Sequence, residues 1–150
     1  MMNCVDLKTR ALNLLARREH SQYELRRKLL EKGYASNKID SLLVILAKEG
    51  LQSDARYTEA YVRQRATAGF GPRRIKMELQ QRGVSDSLID YYLHQKEAFW
   101  WQVLLSVWQK KYDTQQILDA KKYAKQQRFL LQRGFEPDHI HQLLSGKNEY

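Results

Sequence analysis

The sequence predicts an all-α protein made of three tandem three-helix repeats, forming an elongated, curved array. Two observations support this fold class. Apolar residues recur with helical period along the chain, whereas strand-like alternation is nowhere sustained. In addition, the pattern Leu-x-x-(Lys/Arg)-Gly-(apolar)-x₄-Ile-x₃-Leu occurs three times at nearly constant spacing. Each copy would hide its apolar stripes partly within itself and partly against its neighbour.

The repeat pattern fixes where helices end. Gly33 aligns with Gly83 in the second copy and with Gly134 in the third. Glycine at this place ends a helix in the left-handed conformation, and the apolar residue after it packs back on the last turn. We therefore expect positive φ at all three glycines.

Repeat one covers residues 1–50. Its predicted helices span about 5–18, 22–32 and 37–49. Ser21 and Glu24 form a capping box (S-x-x-E) ahead of the second helix. A role for the third helix in DNA recognition is weakly supported, because its face carries only Lys38 and Lys48.

Repeat two covers residues 51–96. Ser53 is the expected cap of its first helix, and its third helix is expected at about 86–95. Its second helix opens at Gly71-Pro72 and presents Arg73, Arg74 and Lys76 in the first turn. Cations are unwelcome at this positive end of a helix unless an anion or an acidic partner lies opposite, which favours a binding surface. The alternative is that these are solvated surface charges.

Repeat three covers residues 97–150 and departs most from the pattern. Its first helix, expected at about 97–111, holds three tryptophans, and we expect it to pack between repeat two and the remainder of repeat three. The alternative is an exposed tryptophan edge that meets a partner. Its second helix, expected at about 114–133, places Lys121, Lys125 and Arg128 on one face as a basic ridge.

The composition indicates which classes of partner and cellular compartment to expect. The formal net charge of +9 is spread along the chain and favours polyanionic partners. Cys4 is the only cysteine, so no internal disulfide is expected. The first residues lack the apolar core of a signal peptide, and no stretch is long and apolar enough for a bilayer. We expect a soluble, cytoplasmic protein.

Catalytic chemistry is not indicated. There is no glycine-rich phosphate loop ending in Lys-Ser/Thr. His139 and His141 are two residues apart and would diverge on a helix, so they do not suit a shared metal. Cys4 has no histidine nearby in sequence and is a poor nucleophile candidate. We predict that the protein is not an enzyme and uses no cofactor or metal.

The central stretch resembles the signature of a known family. The segment Asp54-x-Arg56-Tyr57-x₃-Tyr61-Val62-x₂-Arg65, followed by Gly71-Pro72-x-Arg74-Ile75-x₂-Glu78-Leu79-x₂-Arg82-Gly83-Val84, is similar to the RecX family of bacterial RecA regulators. The resemblance covers about 11–145. It implies tandem three-helix repeats and binding in the groove of the RecA filament on single-stranded DNA. Family members commonly suppress ATP hydrolysis, strand exchange and co-protease action, although some promote filament function.

Eleven basic residues are the candidate contacts with partner or nucleic acid. They are Arg26, Arg27, Lys28, Arg63, Arg65, Arg73, Arg74, Lys76, Lys121, Lys125 and Arg128. Because Arg63 and Arg65 are two residues apart on a helix, at most one of them joins the cluster at 73–76. Tyr57 and Tyr61 are interpreted as core residues, with base stacking as the alternative.

The predicted function is that of a RecA regulator, an inhibitor, in DNA repair and the SOS response. The expected partner is the RecA filament, with single- and double-stranded DNA as further candidates and a monomeric state. Two alternatives stay open: a direct DNA-binding helical module acting as a transcription factor, and a helical adaptor without a nucleic-acid role. No single helix combines a basic face with the Asn, Gln and Arg set that contacts base edges, which weighs against the first.

Overall fold

The computed structural model describes residues 4–95 and 98–146. Those residues form nine α-helices and contain no strand. In chain order, α1 to α9 are Cys4–Arg17, Gln22–Glu31, Ser36–Lys48, Asp54–Thr67, Pro72–Gln81, Asp86–Leu93, Phe99–Lys111, Ala120–Gln132 and Pro137–Ser145. The predicted all-α class, with three helices to each repeat, is confirmed.

Helix starts follow the predicted capping residues. The Ser21 hydroxyl accepts from Glu24 N at 3.1 Å, and the Glu24 carboxylate accepts from Ser21 N at 3.2 Å, which completes the capping box of α2. The Ser53 hydroxyl accepts from Arg56 N at 3.1 Å and caps α4. Pro72 is the first residue of α5, where its missing N–H costs nothing. These local predictions are confirmed.

The predicted start of α8 is wrong. We expected the helix to begin at about residue 114, but it begins at Ala120. Asp119 is extended and accepts from Lys122 N at 2.8 Å, while Asp113 accepts from Gln115 N at 2.9 Å in a turn before the helix. A helix that began at residue 114 would use the Lys122 N–H to bond the carbonyl of residue 118, but Asp119 accepts from that N–H instead, so the helix begins after Asp119.

The helix ends confirm the glycine prediction. Gly33, Gly83 and Gly134 have φ of 93°, 74° and 95°. The apolar residue after each glycine is buried, and its N–H donates to the carbonyl of the leucine five residues earlier. This is the 6→1 bond expected where a helix ends in a left-handed glycine.

Two compact units divide the chain. One comprises Met1–Tyr61 and Leu79–Ile89, and the other comprises Val62–Glu78 and Asp90–Tyr150. The core of the first unit includes Leu7, Ala11, Leu25, Leu29, Ile39, Leu43 and Leu46. The core of the second includes Leu104, Trp108, Leu118, Leu130, Phe135, Ile140 and Leu144. Because α4 and α5 contribute residues to both units, the repeat boundaries after residues 50 and 96 stay a prediction.

The tryptophans of α7 serve mainly as packing residues. Trp100 and Trp108 are buried, and Trp101 is half-buried. Trp108 Nε1 donates to the buried amide oxygen of Gln126 at 2.8 Å, and Trp100 Nε1 donates to Leu93 O at 2.9 Å. Both buried indoles are therefore satisfied, which agrees with the packing interpretation. The predicted start of this helix at residue 97 lies outside the described residues.

Candidate partner and nucleic-acid interface

The cationic first turn of α5 meets the carboxyl end of α8. Gly71 N donates to Arg133 O at 2.8 Å, and Arg73 N donates to Gly134 O at 2.9 Å. The negative end of one helix dipole thus faces the positive end of another, which is the favourable orientation. The anionic counterpart expected opposite this turn is partly supplied by these carbonyl groups of the same chain.

Glycine is required on both sides of this contact. A Cβ built on Gly71 would lie 2.5 Å from the Gly134 carbonyl, and one built on Gly134 would collide with the Cβ of Arg74. The first unit contains an equivalent junction. There the Ser21 hydroxyl donates to Arg82 O at 2.9 Å, and a Cβ on Gly83 would lie 2.5 Å from Tyr23 Cβ. The repeat therefore reproduces a helix-end contact as well as a helix pattern.

Three arginines surround one phenylalanine beside the α5 junction. The guanidinium carbons of Arg65, Arg74 and Arg133 lie 3.8, 4.6 and 4.6 Å from the centre of the Phe70 ring. Glu78 accepts two bonds from Arg65, at 2.8 and 2.9 Å, and one from Arg74 at 3.3 Å. We call these five residues the Phe70 cluster. Three cations and one carboxylate leave it positively charged, with cation–π contacts holding the arginines in place.

The Phe70 cluster is structural as well as cationic. The Arg65 and Glu78 side chains are only 24% and 13% exposed, and a paired, partly desolvated Arg–carboxylate contact is among the stronger ion pairs. Arg74 also donates to Gln132 O at 3.2 Å. Of Arg63 and Arg65, only Arg65 joins the residues of α5 in this cluster, while Arg63 is exposed.

Two other predicted contact residues form equivalent ion pairs in repeats one and two. The Arg26 side chain lies 2.8 Å from Asp40, and Lys76, at the matching position of repeat two, lies 3.2 Å from Asp90. Each pair joins the second and third helices of its repeat. The side chains are 43% to 62% exposed, so each pair contributes little stability and its cation stays reachable.

Arg27 and Lys28 are also engaged within the chain. Arg27 lies 3.7 Å from Glu31, one turn later on an exposed face. Lys28 Nζ lies 2.9 Å from Nε2 of His20, a buried ring whose Nδ1 is 3.0 Å from Arg18 O. Burial lowers the pKa of His20, and although its bond to the Arg18 carbonyl opposes the shift, the charges of Arg18 and Lys28 lower it further. The two neighbouring cations and burial therefore favour the neutral form of His20.

The four remaining predicted contact residues are exposed cations. Arg73 is exposed, and so are the three residues of the α8 ridge, Lys121, Lys125 and Arg128. Within residues 4–95 and 98–146, none of these four has an ion pair. The structure therefore presents a basic ridge on α8, and its role in binding stays a prediction.

The tyrosine pair on α4 splits between two environments. Tyr57 is 3% exposed, and burial raises the pKa of its hydroxyl. Tyr61 is half-buried, with its ring centre 5.7 Å from that of Tyr57 and 5.1 Å from the Arg82 guanidinium. Tyr57 cannot stack on a base without unfolding its surroundings, so it belongs to the core.

Sequence reasoning missed Phe70, Phe129 and Lys111 as members of a cationic surface. Lys111 Nζ lies 3.7 Å from the centre of the Phe129 ring, and the Arg133 guanidinium lies 5.5 Å from the same ring. One signal was available. The repeat places Arg133 at the position of Arg82, just before the glycine, and each of these arginines lies over an aromatic ring of its own unit.

Other kinds of site have little support in the described residues. Their His, Cys, Asp and Glu side chains include no group of three or more placed to hold a metal ion. None of the helices in this part of the chain has the length and apolar character that crossing a membrane requires.

Comparison with known proteins decides the family. Three family models match consecutive parts of the chain: the first three-helix domain of RecX matches residues 8–44, the second matches 53–93 and the third matches 97–144. The chain belongs to the RecX family. The predicted family resemblance is confirmed over nearly the whole length.

Relatives and solved structures agree with the RecX assignment. The chain is 45% identical over 146 residues to Regulatory protein RecX of Pseudomonas entomophila (strain L48), covering 97% of this chain and 94% of the relative. It is 45% identical to Regulatory protein RecX of Ectopseudomonas mendocina (strain ymp), covering 98% of each. The crystal structure of RecX from Lactobacillus salivarius aligns with a TM-score of 0.80 over 95% of each chain at 23% identity, which supports the fold.

Proposed function

We propose that this protein regulates the RecA recombinase, as an inhibitor, by binding the RecA filament on single-stranded DNA. Membership in the RecX family is the observation that carries the proposal. The filament's ATPase, strand-exchange and co-protease activities are the expected targets, in DNA repair and the SOS response. The protein would act by binding, as a monomer, without catalysis of its own.

The exposed cations support this proposal. Arg73 and the α8 ridge have no ion pair within the described ranges, so an external anion can approach them without first displacing an internal carboxylate. A RecA–DNA filament offers both acidic protein surface and phosphates. Exposed charges attract such partners at low salt and lose much of that attraction as salt is added.

The test is RecA ATP hydrolysis on single-stranded DNA with parent protein and with Lys121→Glu/Lys125→Glu/Arg128→Glu. The matched control is Lys8→Glu/Lys38→Glu/Lys48→Glu, which reverses three exposed helical lysines of repeat one and changes the net charge equally. Each exposed pair contributes about 0.2–1 kcal/mol, so the ridge variant should need roughly ten-fold more protein for half-inhibition, with a smaller effect in the control. Equal losses in the two variants would mean that net charge, and not the ridge, governs inhibition.

The α5 turn needs a more careful variant than the reversal of all three of its cations. Arg74 belongs to the Phe70 cluster, so reversing it would disturb the fold, and Lys76 is already paired with Asp90, so its reversal would not report on a free cation. Arg73→Glu alone changes an exposed cation and is the variant to measure in the same assay. Unchanged inhibition by both Arg73→Glu and the ridge variant would place the contact elsewhere.

Binding to naked DNA separates this proposal from its alternatives. A RecA regulator should bind the RecA–DNA filament more tightly than duplex DNA at the same salt concentration. A transcription factor would bind a specific duplex without RecA, and an adaptor without a nucleic-acid role would bind neither.

A further inference from the structure

A cleft lies beside the Phe70 cluster in the second unit. The last turn of α4, the following turn at Ala68 and Gly69, and one face of α7 enclose a cleft of about 380 Å³. Its size is near the lower end of natural ligand cavities, about 300–1,000 Å³. We call it the α7 cleft.

The floor of the α7 cleft is apolar. Phe99, Val103 and Val107 follow one another at intervals of four residues, so they share one face of α7, and Ala66 lies opposite on α4. The three α7 side chains are half-buried. Gly69 approaches so closely that a Cβ there would lie 2.9 Å from the Val107 side chain. The two walls therefore meet at this end of the cleft.

The rim of the cleft is cationic. Lys110, which is exposed on the last turn of α7, and Arg133, at the carboxyl end of α8, both line it. None of the described residues that line the cleft is a carboxylate. The last turn of α4 carries a partial negative charge, but Arg133 Nη1 donates to Ala68 O at 3.4 Å and Gly69 N donates to Ala66 O at 3.0 Å. Because both carbonyl groups accept bonds from within the chain, they do not offset the positive charge of the rim.

We propose that the α7 cleft binds a short acidic peptide segment of a partner protein, with one large aliphatic or aromatic side chain seated on the apolar floor. Carboxylates flanking that anchor pair with Lys110 and Arg133, while exposed Gln102 and Ser106 are placed to bond the peptide backbone. An apolar anchor with a charged rim is a common arrangement in protein interfaces.

The lining favours a peptide over a nucleic acid. Bases stack on exposed aromatic faces, and the floor offers one half-buried phenylalanine among aliphatic side chains. The neighbouring Phe70 ring already contacts three guanidinium groups. The proposal concerns the chemistry of the segment and does not depend on which protein presents it, so it stands apart from the RecA proposal.

The experiment uses the full chain and fluorescein-labelled dodecapeptides. The probe peptide contains Asp, Glu and Ser around a central Leu-Phe pair. Two comparison peptides replace that pair with Ala-Ala or replace every acid with Lys. Anisotropy gives affinity, and methyl signals of Val103, Val107 and Ala68 report the place of binding. We expect the probe to bind at least about five-fold more tightly than either comparison peptide, because both anchor and charge contribute.

Matched variants locate the site. Lys110→Glu should weaken probe binding about five-fold, which corresponds to the loss of an exposed charge pair. Lys48→Glu is the control, because Lys48 is likewise exposed in the last turn of its helix and the charge change is the same. Ser106→Trp should abolish binding by filling the cleft while circular dichroism stays unchanged.

Three results would overturn the proposal. Equal binding of the Leu-Phe and Ala-Ala peptides would show simple charge attraction. Equal weakening by Lys110→Glu and Lys48→Glu would remove the cleft from the contact. Perturbation of the same methyl signals by a short oligo(dT), with no effect of the probe peptide, would assign the cleft to single-stranded nucleic acid.

Discussion

Two glycines with almost the same backbone conformation differ in what surrounds them. Gly50 and Gly83 have φ of 73° and 74°, and both end helices. A Cβ on Gly50 would meet nothing within 4 Å, whereas one on Gly83 would lie 2.5 Å from Tyr23 Cβ. Substitutions at these two glycines therefore separate the energetic cost of left-handed strain from the cost of a steric clash.

We predict that Gly50→Ala lowers the free energy of unfolding by about 1–2 kcal/mol, the usual cost of a left-handed alanine. Gly83→Ala should cost clearly more, because the added methyl group also displaces the start of α2. Urea unfolding of both variants beside the parent measures the two losses. Equal losses would contradict the close contact at Gly83.

His20 should make stability depend on pH. Burial lowers its pKa in the folded chain, whereas the pKa of a histidine in an unfolded chain is about 6.5. Below that pH the unfolded chain binds more protons at this site than the folded chain does. The contribution of His20 is therefore complete above about pH 6.5 and declines as the pH falls below it.

Urea unfolding at pH 7.5 and 5.5 tests this, with His20→Gln as the control that removes the titrating ring. The parent should lose more stability between the two pH values than His20→Gln does. The same loss in both proteins would assign the pH dependence to other groups.

At the scale of elements, two serine caps have unequal roles. Ser53 and Ser21 both accept a backbone N–H at the start of a helix. Ser21 is fully buried and its hydroxyl also donates to Arg82 O. Ser53→Ala should cost about 1 kcal/mol, the usual value for a lost N-cap. Ser21→Ala should cost about 2 kcal/mol, because the half-buried Arg82 carbonyl also loses its donor. Thermal melts of both variants would measure the difference, and equal shifts would contradict the second bond.

Elements show what the sequence could and could not predict. The ends of α2, α5 and α8 were predictable because a left-handed glycine with an apolar successor is a local signal. The start of α8 was not, because the side chain of Asp119 takes the Lys122 N–H from the helical backbone that the apolar period favours. Caps and turns depend on individual hydrogen bonds, which period alone does not show.

The candidate site was predictable only in part. The residue types of the α5 turn and the α8 ridge were visible in the sequence. Their environments were not, because Arg74 finds its partners at Glu78, Phe70 and Gln132, and the last of these lies 58 residues away. Contacts between distant parts of the chain thus separate Arg74, which holds the fold, from Arg73, which is free to meet a partner.

At the scale of the whole molecule, the shape predicted from the repeat can be measured. A chain of this length folded as a compact sphere has a radius of gyration of about 15 Å. Tandem repeats that contact only their neighbours extend further, so we expect a value above about 18 Å for the monomer. Small-angle scattering coupled to size exclusion measures shape and mass together, and a second run at higher salt excludes extension caused by repulsion of the +9 charge. A radius of gyration equal to that of the compact sphere, at monomer mass, would contradict the predicted elongated array. It would not affect the assignment of three helical repeats.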